Sequence, residues 1–165
     1  MNPEANPLQG TVMDKPSWYY RQSGVIPFRE QDDDLEILLV TTRKRRHWSI
    51  PKGIVEPGLT TAQSAIKEAW EEAGVRGFLL PYPLGVYQQQ KWGGVCHVEV
   101  FLFQVDEEAH PWPEAELRQR QWFSIAAALE AVHNEELREL MREGIRKLAD
   151  RYRPDGVNPI EELQL

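Results

Sequence analysis

The stretch from Pro51 to Val75 constrains this chain more than any other, because it joins a turn-rich loop to a helix whose charges work against its own stability. The loop, Pro51-Lys52-Gly53-Ile54-Val55-Glu56-Pro57-Gly58, holds two glycines and two prolines. That composition turns the backbone and can bring main-chain groups close to a metal or a phosphate. Thr60 or Thr61 offers an N-cap and Gly74 a C-terminal stop for a helix ending near Ala73. Ala62, Ala65, Ile66, Ala69, Trp70 and Ala73 recur at spacings of three and four, which predicts a core-facing side. Glu68, Glu71 and Glu72 fall together on the other side, within an arc of roughly 100° at the standard helical turn.

Carboxylates that close repel one another, and near a helix C-terminus the macrodipole disfavours them further. Hard oxygen ligands suit magnesium, and a divalent cation would reverse the balance. A plainer reading stands beside this one. Glu-rich helix faces are common and solvated, and Lys67 can pair with Glu71 one turn on. The loop in front of the helix tips the choice toward chemistry.

The flanking sequence predicts a layered fold. Ser23 to Phe28 and Leu35 to Val40 read as strands on either side of an Asp32-Asp33-Asp34 turn, and Trp48 to Ile50 as a short extended piece. Leu84 to Gln90 and Val95 to Val105 predict a hairpin across Trp92-Gly93-Gly94. Residues 106 to 116 read as loop, and Gln121 to Phe123 as a last strand. Ser124 caps a short helix to about Val132, and Asn134 a longer one to about Tyr152. The longer helix carries an apolar stripe of Leu137, Leu140, Met141, Ile145, Leu148 and Tyr152. This order predicts an α+β protein, an α/β/α sandwich with helices covering a mixed sheet. Residues 1–16 read as a flexible lead-in, 17–153 as one domain and 154–165 as an irregular tail.

Composition excludes some partners. With 19 Lys+Arg against 26 Asp+Glu the formal net charge is −7, which argues against nonspecific nucleic-acid or anionic-membrane binding. No apolar run has the length of a membrane span, and Met1 to Lys15 lacks the apolar core of a signal peptide, so a cytoplasmic location is expected. The single cysteine, Cys96, excludes an intramolecular disulfide, and no Cys/His cluster suggests structural zinc.

The segment resembles the Nudix hydrolase signature: Gly, five residues, Glu, seven residues, then Arg-Glu-apolar-x-Glu-Glu-x-Gly-apolar. Here Gly53 is followed after five residues by Leu59, and after seven more by Lys67-Glu68-Ala69-Trp70-Glu71-Glu72-Ala73-Gly74-Val75. The resemblance implies a Nudix-type mixed sheet and magnesium-dependent (or manganese-dependent) cleavage of a phosphoanhydride. It implies Glu68 and Glu72 as metal ligands, with the Lys52 carbonyl as a further one. Glu71 is implied as third ligand or as the base that activates water, and Glu68 shares the catalytic role. Leu59 and Lys67 depart from the pattern, in which Glu and Arg at these two places pair and brace the loop. Glu56 is the candidate substitute partner for Lys67.

Tyr20-Arg21-Gln22-Ser23-Gly24, Leu39-Val40-Thr41-Thr42-Arg43, Trp48-Ser49-Ile50-Pro51-Lys52-Gly53 and Arg118-Gln119-Arg120-Gln121-Trp122-Phe123 resemble the diphosphoinositol polyphosphate and diadenosine polyphosphate hydrolases. That resemblance implies a small polyphosphorylated substrate held by Arg21, Arg43, Lys52, Arg118 and Arg120. Arg118 and Arg120 also read as partners of nearby acidic residues, and Arg21 as a cross-strand pair. Glu99 is a second candidate base, and Trp48 or Trp92 a candidate base-stacking ring; packing is the competing reading for each. Alternatives within the family are an RNA 5′-pyrophosphohydrolase and a nucleoside diphosphate-sugar hydrolase. A non-catalytic sensor of the same fold is the alternative outside enzymology.

Overall fold

The protein is described from a computed structural model, over residues 14–44 and 47–151. Tyr152, Arg45, Arg46, most of the lead-in and the whole tail therefore lie outside the described residues. A 3-10 turn at Ser17–Tyr20 leads into β1 (Arg21–Gln31) and β2 (Asp34–Thr41). Next come β3 (Trp48–Ser49), β4 (Lys52–Ile54), helix α1 (Thr61–Ala73), β5 (Val75–Leu79), β6 (Gly85–Lys91) and β7 (Gly94–Glu108). β8 (Arg120–Ser124), α2 (Ile125–Ala131) and α3 (Glu135–Arg151) complete the order.

The strands form one eight-stranded mixed sheet, ordered β3-β2-β1-β7-β5, with β4 on β1, β6 on β7 and β8 on β2. The central pair, β1 with β7, is parallel, and its neighbours are antiparallel. Two strands change partner along their length. β1 pairs with β4 at Gln22–Gly24 and with β2 at Phe28–Gln31, while β7 pairs with β6 before residue 101 and with β5 beyond 102. The β1 fork is closed by Val25 N–H, which donates to Pro51 O at 3.0 Å. The loop before α1 is thereby fixed at the point where the sheet divides.

Side-chain alternation builds a core on each face. Ile26, Phe28, Ile37, Leu39, Val98 and Val100 point one way and meet Leu137, Met141 and Leu148 of α3. Val25, Leu38, Val40, Phe101 and Phe103 point the other way and meet Ala65, Ala69 and Ala73 of α1. Three alanines let α1 lie close on the sheet, and the two faces together make the expected α/β/α sandwich. Truncating a fully buried residue such as Met141 to Ala would cost about 2–5 kcal/mol.

Several expectations need correction. β1 runs longer than 23–28, β7 continues to Glu108 into the predicted loop, and β5 was not foreseen. β5 is short and mostly exposed, with Gly77 against the Gln104 carbonyl, so it carries no alternating signature. Ile66, expected in the core, is 47% exposed, while Ser64, Glu68 and Glu72 are buried. The buried arc of α1 is rotated toward its carboxylates because the helix packs against both β1 and the β4 loop.

Candidate active site

Helix α1 is well terminated at its start. Thr60 and Gln63 form a reciprocal capping box, and Ser64 Oγ donates to Ile54 O at 3.0 Å, pinning the helix to β4. Thr61 Oγ1 donates to Glu99 at 2.5 Å. That contact places the expected second base, Glu99, at the N-terminal end of α1, outside the walls of the cleft described below.

The other end is capped by glycine and by a distant segment. Gly74 adopts φ +66, and its N–H reaches Trp70 O at 2.9 Å. The next carbonyls would be orphaned, and the segment after β7 satisfies them one by one. Glu114 N–H donates to Glu71 O, Trp112 Nε1 to Glu72 O and Arg120 Nη1 to Ala73 O, at 3.0, 2.9 and 2.7 Å. Arg120 also donates to Ala109 O at 2.7 Å, pairs with Glu108 at 3.3 Å and stacks over Trp112. One of its donors thus caps α1, and the others are taken up by Ala109, Glu108 and His110.

Docking that segment brings Arg118 onto the acidic face. Arg118 Nη2 donates to Glu72 Oε2 at 3.0 Å, Nε to Glu114 Oε1 at 2.8 Å and Nη1 to Thr41 O at 3.0 Å. The other Glu72 oxygen accepts from Lys52 N–H at 3.1 Å. The Glu68 carboxylate lies against Gly53, where an added Cβ would sit 2.3 Å from its Oε1, so any larger residue there would displace that carboxylate. Glu68, Glu71, Glu72, Lys52, Arg43, Arg118 and Glu114 all line one cleft of about 890 Å³.

Burial sets the electrostatics. Glu68 is pushed up to about 8, first by burial and then by Glu72 and Glu71. Burial pushes Glu72 up to about 7, against the pull of Arg118 and Lys52. Burial likewise lowers Lys52, with Glu72 opposing. Among the described residues no three His, Cys, Asp or Glu side chains converge as a ready-made ion cage, since Glu72 is engaged by Arg118 and Lys52. The donor chemistry nonetheless fits a hard divalent cation: ionisable oxygens whose proton affinity is raised chiefly by burial and, at Glu68, by neighbouring carboxylates.

The sequence matches the NUDIX domain family over residues 19–144. The chain belongs to the NUDIX family. It is 34% identical to Nudix hydrolase 12, mitochondrial, of Arabidopsis thaliana, over 79% of this chain and 75% of that one. It is 30% identical to diphosphoinositol polyphosphate phosphohydrolase 3-alpha of Mus musculus, over 76% of this chain and 80% of that one. Its fold is similar to a C. elegans Ap4A hydrolase crystal structure, with TM-score 0.70, 23% identity, and coverage of 79% and 98%. This Nudix chain is thus a hydrolase of the pyrophosphohydrolase kind, in a family that generally uses divalent metals.

In this Nudix hydrolase the missing Glu–Arg brace has a replacement. Lys67 Nζ donates to Glu56 Oε1 at 3.0 Å and lies 3.8 Å from Glu71. The loop is tied to the same helix position from three residues nearer its start.

Two of the five expected cationic substrate contacts are not in the cleft walls. Arg120 caps α1 as described, and Arg21, exposed at the start of β1, lies across from His97. Trp48 packs edge-on against Phe123 at 5.0 Å, a core contact, whereas Trp92 lines the cleft. Sequence reading passed over Glu114, Lys91, Gln22 and Gln89, which also line it. No local pattern marks them, because long-range pairing alone delivers them there.

Proposed function

We propose that the cleft hydrolyses a phosphoanhydride in a small polyphosphorylated molecule, with magnesium, or manganese in its place, bound at Glu68 and Glu72. The observation that carries this reading is the pair of buried carboxylates pressed against the Gly53 loop, with cationic side chains opposite. The Lys52 carbonyl and Glu71 complete the proposed ligand set. A bound divalent cation would neutralise anhydride oxygens and acidify a water molecule.

The chain's own residues supply the remainder. Glu71, the most exposed of the three glutamates at 35%, is the proposed proton acceptor, and Glu68 is the second choice. Arg118 holds Glu72 in place through Nη2 and keeps a positive charge beside it. Arg43 and Lys52 are proposed to orient the phosphate chain, the former in bidentate fashion and the latter as a point charge.

The favoured substrates are a diadenosine polyphosphate or a diphosphoinositol polyphosphate, classes named in relatives of this chain. RNA 5′ ends and nucleoside diphosphate sugars are the alternatives, and the acidic net charge of −7 disfavours RNA. Cytoplasmic residence is part of this proposal; no helix among the described residues is long and apolar enough to cross a membrane, and the Arabidopsis relative is a mitochondrial protein.

The test is product formation from both substrate classes, two nucleotides from a diadenosine polyphosphate and inorganic phosphate from a diphosphoinositol polyphosphate, with magnesium and manganese compared, for wild type and Glu72→Gln. Wild type should turn over one class, and the variant should lose about a hundred- to a thousand-fold in kcat, as loss of a charge-stabilising group typically does. Undiminished turnover by Glu72→Gln would sink the assignment.

A further inference from the structure

The walls of the cleft are not chemically uniform. At one end the charged groups of α1 and Arg118 crowd together. At the other, Gln22 of β1 and Gln89 of β6 face the same side of the sheet, on either side of Cys96 of β7. Gln22 pairs with Val98, and Cys96 pairs with Gln89, so neighbouring strands deliver two neutral amides to one floor. Lys52 marks the boundary, its main-chain N–H on Glu72 and its ammonium disfavoured by burial and by the nearby Lys91.

Gln22 is 2% exposed. Its Nε2 donates to Cys96 Sγ at 3.6 Å, and its Oε1 has no partner among the described residues. Gln89 Oε1 is also buried without a partner among them. A buried amide oxygen left unpaired costs about 1–3 kcal/mol, a penalty that a ligand relieves when it supplies the missing donor. Beside them stands Trp92, whose carbonyl accepts from the Tyr20 hydroxyl at 2.5 Å and from Asp14 N–H at 2.9 Å. Tyr19 and Tyr20 pack edge-on against its indole, and Lys91 lies over the ring at 4.4 Å. The ring is a held wall, not a swinging one.

We propose that Gln22, Gln89 and Trp92 form a subsite for the neutral heterocyclic base of a nucleotide, so that the substrate is a nucleoside polyphosphate rather than an inositol polyphosphate. The inference rests on the hydrolase reading above and narrows it. An unpaired amide oxygen needs a donor. An exocyclic amine or ring N–H of a base provides one, and an ionised phosphate has none. An inositol polyphosphate carries anionic groups around its whole ring and would press one against these oxygens. A nucleotide instead sends its phosphates toward Lys52 and α1 and its base toward the amides. Gln22 and Gln89 are thus specificity-determining residues with no part in bond cleavage.

Binding to the full-length, metal-free protein tests this without requiring turnover, so failure of the hydrolase reading would show separately in the assay above. AMP and ribose 5-phosphate, which differ by the base alone, would be titrated and followed by amide NMR. AMP should bind at least tenfold more tightly and shift the Gln22 and Gln89 side-chain signals. Gln22→Met, which keeps the volume and removes the amide, should bring AMP down to the ribose 5-phosphate level. Gln22→Glu, which keeps acceptor oxygens and adds negative charge, should retain most of the AMP affinity. Gln89→Leu provides a second variant should Gln22→Met unfold. Equal affinity for the two probes, or AMP binding unchanged in a folded Gln22→Met or Gln89→Leu, would overturn the proposal. So would inositol hexakisphosphate shifting the same side-chain signals more tightly than AMP.

Discussion

Lys67 to Glu56 and Arg118 to Glu72 are both drawn at 3.0 Å, and both tie helix α1 to a neighbouring segment. They differ in surroundings. The first pair is 37% and 54% exposed, on the solvent side of the loop. The second is 11% and 9% exposed, at the floor of the cleft, with Arg118 also bound to Glu114 and the Thr41 carbonyl. An exposed pair gains little because water and salt screen it, whereas a buried one cannot lose a partner without leaving a charge stranded. The comparison explains why the signature tolerates Leu59 and Lys67. A loop brace in water can be rebuilt from another position, and Glu56 rebuilds it. The Arg118 contact has no such freedom.

The largest expected break is therefore at the buried pair. Arg118→Ala should lower stability by about 3 kcal/mol, read from urea unfolding, and reduce kcat/KM by more than a hundredfold. If it costs no more than Lys67→Ala, burial is not what separates the two pairs.

Divalent metal should sharpen the contrast next. At a hundred times its Kd, magnesium should add about 2.7 kcal/mol to stability, seen as a rise in Tm that Glu72→Gln abolishes. Without metal the pH dependence carries a definite sign. Glu68 has its folded pKa raised from the ordinary 4.5 to about 8, so between these values the folded chain keeps a proton that the unfolded chain has lost. Its contribution is fully present below 4.5 and is lost as pH rises through about 8. The stability of wild type relative to Glu68→Gln should accordingly fall across that range in EDTA. A flat difference would show that Glu68 is not buried as described.

Arg120→Met comes third. It removes the donors to Ala73 O and Ala109 O and should cost about 2 kcal/mol, while leaving KM for substrate nearly unchanged. A raised KM with unaltered stability would return Arg120 to the substrate. The smallest effect belongs to Lys67→Ala, within about 0.5 kcal/mol by the same unfolding measurement, and fading at high salt.

Much of the layered fold was legible from periodicity. The apolar runs of β1, β2 and β7 mark strands buried on both faces, and the stripe of Leu137, Met141 and Leu148 marks a helix buried on one, because a strand and a helix repeat at different intervals. Strand β5 was not legible, since a short exposed edge strand carries no alternation. Within the candidate site, Glu68, Glu71 and Glu72 could be placed on one arc from spacing alone. Their burial could not, and Ile66 shows the size of the error: a rotation of the helix about its own axis exposes it and sinks two glutamates.

Arg118 and Arg120 mark the limit most sharply. Two residues apart, both basic and both near Glu114, they are indistinguishable by composition, yet one faces the carboxylates of the cleft and the other caps the helix that bears them. Sequence by itself determined the N-cap, the spacing and the Gly74 stop of helix α1, because these are local; the pairing of Lys52–Ile54 with β1 and the closing of the helix end by Trp112, Glu114 and Arg120 were not legible in it. Tertiary structure alone decided which side chains converge on that helix. Gln22, Gln89, Glu114 and Arg118 are brought there by pairings between strands and by a segment docked on the open end of α1, and such contacts leave no trace in the spacing of neighbouring residues.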